Sequence, residues 1–114
     1  MVVDDDEVIR DLLRHLLKKE GYRVETAVDG EEGLLKAENL KPDLLILDLM
    51  LPRHGGFEVL RHLQGGDMDR TPIIVITGRC ADRALSDLIR RESNVVEVML
   101  KPIKTQALLL ALER

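Results

Sequence analysis

The sequence is poor in aromatic residues: it contains no tryptophan, one phenylalanine and one tyrosine. Proteins that bind single-stranded nucleic acid stack the bases on aromatic side chains, so this scarcity argues against that class. The net charge of −4 argues in the same direction, because nucleic-acid-binding surfaces are basic. We therefore expect no direct binding of nucleic acid by this chain.

Cysteine is also scarce. Cys80 is the only one, so the chain cannot form an internal disulfide, and a reducing cytoplasm is the natural setting. No signal peptide is visible, because Met1 leads straight into an apolar strand, and the charged content of 33% leaves no membrane span. We expect a cytoplasmic protein without membrane contact, either a single-domain protein or a fragment of a longer one.

The apolar content of 45% is aliphatic, which suits parallel strands that are buried on both faces. A length of 114 residues is enough to bury a core without disulfides or structural metals. Composition is even along the chain, with no linker, repeat or low-complexity tail. We therefore predict one domain over residues 1–114.

Strand-like and helix-like segments alternate five times along the chain. The strand-like segments are Val2–Val3, Arg23–Val28, Leu44–Asp48, Ile73–Thr77 and Val95–Leu100. The helix-like segments are Glu7–Glu20, Glu31–Asn39, one with Phe57, Leu60 and Leu63 on one face, one marked by Ala84, Leu85, Leu88 and Ile89, and one carrying Leu108, Leu109 and Leu112. Such alternation is typical of βαβ units and predicts an α/β fold with a parallel sheet.

Two of these helical segments make specific predictions about burial. In the first, six apolar residues recur at helical spacing and are predicted to form one inward stripe. In the second, two neighbouring leucines are predicted to face inward. These residues are Val8, Ile9, Leu12, Leu13, Leu16 and Leu17 in the first segment, and Leu34 and Leu35 in the second.

Polar residues end four of the five apolar runs. They are Asp4 and Asp5 after the first strand, Asp48 at the end of the third, Thr77 at the end of the fourth and Lys101 after the fifth. Parallel sheets bind ligands outside the carboxyl ends of their strands, so these groups are predicted to converge. Clustered carboxylates repel one another unless a cation lies among them, which points to a hard divalent ion. Asp6 instead suits the N-terminal turn of the first helix.

Because of these polar residues and their positions after the strands, the chain resembles the receiver domain of two-component response regulators, the group that contains the bacterial chemotaxis response regulator. The segments that carry the resemblance are Val3-Asp4-Asp5-Asp6, Asp48-Leu49-Met50-Leu51-Pro52, Gly56, Ile76-Thr77-Gly78 and Lys101-Pro102-Ile103. The resemblance covers essentially the whole chain. It implies a doubly wound, flavodoxin-like sheet of five parallel strands in the order 2-1-3-4-5, with five helices.

The resemblance also implies a phosphoryl-transfer site that uses Mg²⁺ as cofactor. Asp48 would be the phosphoacceptor, and Asp5 and Asp48 would ligate the ion directly. The backbone carbonyl of Met50 would be a third protein ligand, and Asp4 would act mostly through a bound water. This sparse set of oxygen ligands suits Mg²⁺, which keeps several waters, better than Ca²⁺ or Zn²⁺.

Two further residues would complete the implied site. Lys101 would pair with the carboxylate of Asp48 before the reaction and with a phosphoryl oxygen after it. The hydroxyl of Thr77 would bind another phosphoryl oxygen. In the family the Lys101–Pro102 peptide bond is usually cis.

The same resemblance implies partners. The phosphoryl group would come from a histidine kinase or a histidine phosphotransfer protein, and a homodimer could form through the fourth helix, the fifth strand and the fifth helix. The chain would be a phosphoacceptor switch that assists its own phosphotransfer and autodephosphorylation, and not an enzyme with turnover.

The sequence departs from the family pattern at Val98, where members often carry a switch aromatic three residues before the lysine. We interpret Val98 as ordinary packing. The departure leaves open a degenerate receiver that binds partners without phosphorylation, although the intact acids, threonine and lysine argue against it.

Two other classes share parts of the pattern. A Mg²⁺-dependent aspartyl-phosphate phosphatase would place a second acid two residues after its nucleophile, where this chain has Met50. An FMN-binding module would need a Ser/Thr/Gly-rich phosphate loop after the first strand, where this chain has Asp4-Asp5-Asp6.

Overall fold

The five predicted strands form a single parallel sheet. The computed structural model describes residues 1–49, 56–64, 71–77 and 94–112. The strands are β1 (Val2–Val3), β2 (Thr26–Ala27), β3 (Leu45–Asp48), β4 (Ile73–Thr77) and β5 (Val95–Leu100). Their order is β2-β1-β3-β4-β5, and every neighbouring pair is parallel. The predicted α/β fold and its strand order 2-1-3-4-5 are therefore confirmed.

Four helices lie within the described ranges. They are α1 (Glu7–Lys19), α2 (Gly30–Leu40), α3 (Gly56–Gln64) and α4 (Thr105–Leu112). The helix predicted around Ala84, Leu85, Leu88 and Ile89 lies outside the described residues. None of the helices within the described ranges is both long and apolar enough to cross a membrane.

The side chains of the central strands alternate between two hydrophobic clusters, one on each face of the sheet. One cluster joins Val3, Leu45, Leu47, Ile73 and Val75 to residues of α2 and α3, which are Ala37, Val59 and Leu60. The other joins Val2, Ile46, Ile74 and Ile76 to residues of α1 and α4, which are Leu13, Leu17, Leu108 and Ala111. Helices thus cover both faces, and the predicted doubly wound arrangement is confirmed.

Three of the predicted inward-facing residues are exposed instead. Val8 and Leu12 on α1 are 73% and 41% exposed, and Leu35 on α2 is 57% exposed. Successive helical residues are rotated by about 100°, so residues that follow one another in sequence cannot all face the sheet. The stripe of α1 that packs is narrower than predicted and consists of Ile9, Leu13, Leu16 and Leu17.

The second strand is shorter than the predicted Arg23–Val28. As an edge strand, β2 pairs only with β1, which offers two residues, and the register joins Val2 to Thr26 and Val3 to Ala27. The length of β2 is therefore set by its neighbour β1, and the apolar residues of β2 alone do not predict it.

Val98 lies on β5 opposite Val75 of β4. It is partly buried and packs against the cluster that α2 and α3 cover. This position supports the interpretation of Val98 as a packing residue.

Candidate functional site

The first part of the site is the turn between β1 and α1. The amide of Asp4 donates to Ala27 O at 3.1 Å, which continues the pairing of β1 with β2. One carboxylate oxygen of Asp4, Oδ1, accepts the amide of Asp6 at 2.9 Å. Asp6 in turn accepts the amide of Val8 at 2.9 Å and forms the N-cap of α1. The predicted role of Asp6 is confirmed, and the turn buries Asp4 completely.

Asp48 lies beside Asp4 because β3 is the neighbour of β1. The register pairs Val3 with Leu47, so the next residues along the two strands, Asp4 and Asp48, end at the same edge. Asp48 is 1% exposed, whereas Asp5 is exposed. The carboxylate groups of Asp4, Asp5 and Asp48 offer oxygens that all lie within 4.8 Å of one another. The predicted convergence of the acids therefore occurs.

Lys101 reaches the same edge from the end of β5. Its Nζ lies 3.1 Å from Asp4 Oδ2 and 3.3 Å from Asp48 Oδ2. Its backbone amide donates to Thr77 O at 2.8 Å, which fixes the end of β5 against the end of β4. The Lys101–Pro102 bond is cis, as the resemblance implied. One ammonium thus bridges the buried acids of two other strands.

Thr77, the last residue of β4, is 1% exposed and completes the row of polar residues at this edge. The backbone carbonyl of Met50, predicted as a metal ligand, lies outside the described residues, and so does Gly78. Of the predicted site residues, the structure therefore brings together Asp4, Asp5, Asp48 and Lys101, with Thr77 at the end of the adjoining strand.

Burial and charge perturb two of these groups. Burial raises the pKa of Asp4 above its ordinary value and the charge of Asp48 raises it further, while the amide of Asp6 and the ammonium of Lys101 lower it. Burial lowers the pKa of Lys101, but its contacts with Asp4 and Asp48 outweigh burial and raise that pKa above its usual range. Lys101 therefore stays charged, and any additional cation would further stabilise the ionised forms of the acids.

The acids fit a small divalent cation. Opposite ligands of an octahedral Mg²⁺ ion are about 4.2 Å apart, twice the usual Mg–O distance, and the three carboxylates have oxygens within 4.8 Å of one another. Asp4 Oδ2 is buried and, among the described residues, accepts no hydrogen bond; its contact with Lys101 is an ion pair outside hydrogen-bonding geometry. A cation or its bound water would supply the interaction that this buried carboxylate oxygen lacks.

Arg10 on α1 also contacts the site, which sequence reasoning missed. Its Nη1 donates to the backbone carbonyl of Asp4 at 2.9 Å. The sequence offered one indication of this contact: Arg10 is a charged residue directly after Ile9, which belongs to the apolar stripe of α1 that packs on the sheet. Because the acceptor is a carbonyl and not a side chain, residue types alone gave no hint of the pairing.

The family model described as "Response regulator receiver domain" matches residues 1–113. The transcriptional regulatory protein AfsQ1 of Streptomyces coelicolor is 37% identical over 108 residues, which is 95% of this chain and 46% of that protein. The alkaline phosphatase synthesis transcriptional regulatory protein PhoP of Bacillus subtilis is 42% identical over 102 residues, 90% of this chain and 41% of that protein. The chain thus spans less than half the length of these relatives.

Solved structures match almost the entire chain. The Vibrio cholerae chemotaxis protein CheY4 has a TM-score of 0.88 at 32% identity, and the match covers 99% of this chain and 93% of that one. The receiver domain of NtrX from Brucella abortus has a TM-score of 0.87 at 30% identity, with the same coverage of 99% and 93%. The similarity therefore includes the strand ends that carry the acids and the lysine.

Proposed function

Because the chain belongs to the family of response regulator receiver domains, we propose that Asp48 accepts a phosphoryl group from a histidine kinase or a histidine phosphotransfer protein. The whole of residues 1–114 would form this one receiver domain. The observation that carries the proposal is the ammonium of Lys101, which lies 3.1 Å from Asp4 and 3.3 Å from Asp48 beside the exposed acid Asp5.

The transfer forms one bond and breaks one. A carboxylate oxygen of Asp48 attacks the phosphorus of a phosphohistidine on the partner, and a P–O bond forms as the P–N bond breaks. The imidazole nitrogen keeps the electron pair of the broken bond and the aspartyl phosphate remains on this chain. A carboxylate is a weak nucleophile, so positioning and charge neutralisation have to supply most of the rate.

Lys101 and Thr77 act on the group that is transferred. The ammonium of Lys101 holds Asp48 before the reaction, and in the product it pairs with a phosphoryl oxygen whose charge has increased. Thr77 lies at the end of β4, the neighbour of β3, and its hydroxyl binds a second phosphoryl oxygen.

The residues that would hold Mg²⁺ are Asp5 and Asp48 directly, the backbone carbonyl of Met50, and Asp4 through a water. When bound, the ion neutralises negative charge on the phosphoryl oxygens and on the acids. Asp4 is held in place by its burial and by the hydrogen bond that its Oδ1 accepts from the amide of Asp6. Its other oxygen, Oδ2, stays available to a water bound to the ion.

The chain would work as a switch and not as an enzyme with turnover. The names of AfsQ1 and PhoP describe transcriptional regulation, so we propose an output of that kind for the protein that contains this domain, without direct nucleic-acid binding by residues 1–114. Self-association through the segment around Ala84–Ile89, β5 and α4 also stays a prediction. In its favour, Val96 on β5 and Leu110 on α4 are 37% and 64% exposed.

Phosphorylation by a small donor tests the proposal without a partner protein. The native chain and Asp48→Asn are incubated with acetyl phosphate or phosphoramidate and Mg²⁺, and intact mass is measured at neutral pH. The native chain should gain the mass of one phosphoryl group, and the variant and a metal-free sample should gain none. Equal labelling of Asp48→Asn would contradict the assignment.

A further inference from the structure

Within the described ranges, Arg10 is the only residue of α1 whose side chain donates a hydrogen bond to the backbone of β1 or of the turn that follows it. Its guanidinium reaches back six residues to the carbonyl of Asp4, and Arg10 is half-buried. The backbone amide of the same residue donates to Asp6 O at 3.0 Å as the first hydrogen bond of α1. Arg10 therefore contacts both ends of the turn formed by Asp4, Asp5 and Asp6.

Asp5 is the middle residue of this turn, and its carboxylate has little else to hold it. Its side chain is exposed, and among the described residues no hydrogen bond to that carboxylate is found. Asp4 differs, because its carboxylate is buried and accepts the amide of Asp6. The direction in which Asp5 projects is thus set by the backbone, and the peptide unit between Asp4 and Asp5 is the unit that Arg10 binds.

We propose that Arg10 is a positioning residue for the cation site: by binding the carbonyl of Asp4 it fixes the Asp4–Asp5 peptide and keeps the Asp5 carboxylate beside Asp48. The inference rests on the proposed function, in which Asp5 is a direct ligand of Mg²⁺. Partners that hydrogen-bond a ligand directly change metal affinity by about 10–100-fold when they are removed, and Arg10 acts one residue further away, so we expect an effect at the lower end of that range.

The chain offers a matched control on the same helix. Arg14 lies four residues further along α1 and forms an exposed ion pair with Asp11 at 2.8 Å. Its side chain is 47% exposed, so its loss removes the same charge from α1 without touching the turn. A loss of Mg²⁺ affinity in Arg10→Ala that Arg14→Ala lacks therefore comes from the bond to the Asp4 carbonyl, because removal of a positive charge close to the acids would by itself favour the cation.

The experiment measures Mg²⁺ dissociation constants by calorimetric titration for the native chain, Arg10→Ala, Arg10→Lys, Arg14→Ala and Asp5→Ala. Backbone amide shifts of Asp5 and Asp6 are recorded without metal in the same proteins. We expect Arg10→Ala to bind Mg²⁺ about tenfold more weakly and to shift both amides before any metal is added. Arg14→Ala should stay within about twofold of the native chain, and Arg10→Lys should lie between the two.

Repeating the titrations at high salt separates position from charge. The charge of Arg10 repels Mg²⁺, so by charge alone Arg10→Ala would bind the ion more tightly; at about 1 M KCl charges are screened beyond about 3 Å and this opposing contribution is suppressed. If the ratio between Arg10→Ala and the native chain persists, the positioning role is supported. If Arg10→Ala and the native chain bind Mg²⁺ within twofold of each other at high salt, Arg10 does not position the site and the proposal is wrong.

Other outcomes are equally decisive. Binding by Arg10→Ala within twofold of the native chain at low salt would overturn the proposal while leaving Asp48 and Mg²⁺ untouched. Absence of saturable Mg²⁺ binding by the native chain would instead contradict the proposed function itself. If Arg10→Ala does not fold, Arg10→Met, which keeps an unbranched apolar stem without a donor, replaces it. Failure of that variant to fold as well would identify Arg10 as an anchor of the fold, contrary to the proposal.

Discussion

The two ends of the sheet differ in how completely their buried polar side chains are hydrogen-bonded. At the end where the strands begin, Asn94 is 5% exposed, and its Nδ2 donates to Thr71 O at 3.0 Å. The same end of the sheet has a cleft of about 520 Å³ that is lined by both apolar and charged residues, among them Leu17, Val24, Glu25 and Lys41. At the end where the strands finish, Asp4 is fully buried, yet Oδ2 accepts no hydrogen bond among the described residues.

This difference separates stability from function. A buried amide that donates to a backbone carbonyl is satisfied by the protein itself, so it stabilises the folded state. A buried carboxylate held against other acids by one ammonium is incompletely satisfied, which costs stability until a ligand binds. Among the described residues, a group of incompletely compensated charges therefore lies at the carboxyl ends of the strands, where the proposed phosphoryl transfer takes place.

The largest expected effect is at Lys101. Replacing it by Met removes the ammonium that lies 3.1 Å from Asp4 and 3.3 Å from Asp48, and with it the charge that binds the phosphoryl oxygen. We expect phosphorylation by acetyl phosphate to slow by about 100-fold or more, as when one charge-stabilising group is removed from an active site. Intact mass against time gives the rate.

Lys104→Met is the control, because Lys104 follows closely in the chain, is exposed, and also carries one positive charge. It should be phosphorylated at the native rate. Equal slowing in the two variants would mean that net charge, and not the bridge between the acids, sets the rate.

Asn94→Ala should act on stability alone. The variant loses the Nδ2 donor to Thr71 O and leaves that buried edge one hydrogen bond short. We expect the free energy of unfolding to fall by about 1–2 kcal/mol in urea titrations, with unchanged Mg²⁺ affinity. Asn39→Ala, at an exposed position of α2, should lose no stability. A Mg²⁺ affinity that falls together with stability in Asn94→Ala would show that the two ends of the sheet are coupled.

The smallest expected effect has the opposite sign. Asp5→Asn removes one of three acids whose oxygens lie within 4.8 Å of one another. We expect the metal-free protein to gain about 0.5 kcal/mol of stability, a modest value because Asp5 is exposed, and to lose the stabilisation that Mg²⁺ gives the native chain. Thermal melts with and without Mg²⁺ measure both.

Glu38→Gln, an exposed change on α2, controls for the loss of one negative charge from the whole protein. It should leave the response to Mg²⁺ as in the native chain. A loss of metal-free stability in Asp5→Asn would show that this carboxylate is structural.

Much of the fold could be predicted from local pattern because periodicity is a local property. The apolar runs Ile73–Thr77 and Val95–Leu100 are strands with the predicted bounds, and Asp6 caps α1 as expected. Errors arose where a partner decides the outcome. Val8 and Leu12 are exposed because the face of α1 that packs is chosen by the sheet, and β2 is short because β1 offers it two residues.

By itself the sequence determined that polar residues follow the apolar strands, and therefore that Asp4, Asp48, Thr77 and Lys101 lie at one edge of a parallel sheet. Only the tertiary structure decided which of them touch. The order β2-β1-β3-β4-β5 makes β1 and β3 neighbours, so Asp4 and Asp48 lie side by side, and Lys101 spans the end of β4 to reach them.

The contact of Arg10 with the carbonyl of Asp4 was likewise decided by the tertiary structure. The physical reason is that strand order and backbone contacts depend on which surfaces bury each other across long separations in the chain. Residue types and their spacing predict local conformation, whereas strand order and backbone contacts are decided by tertiary packing.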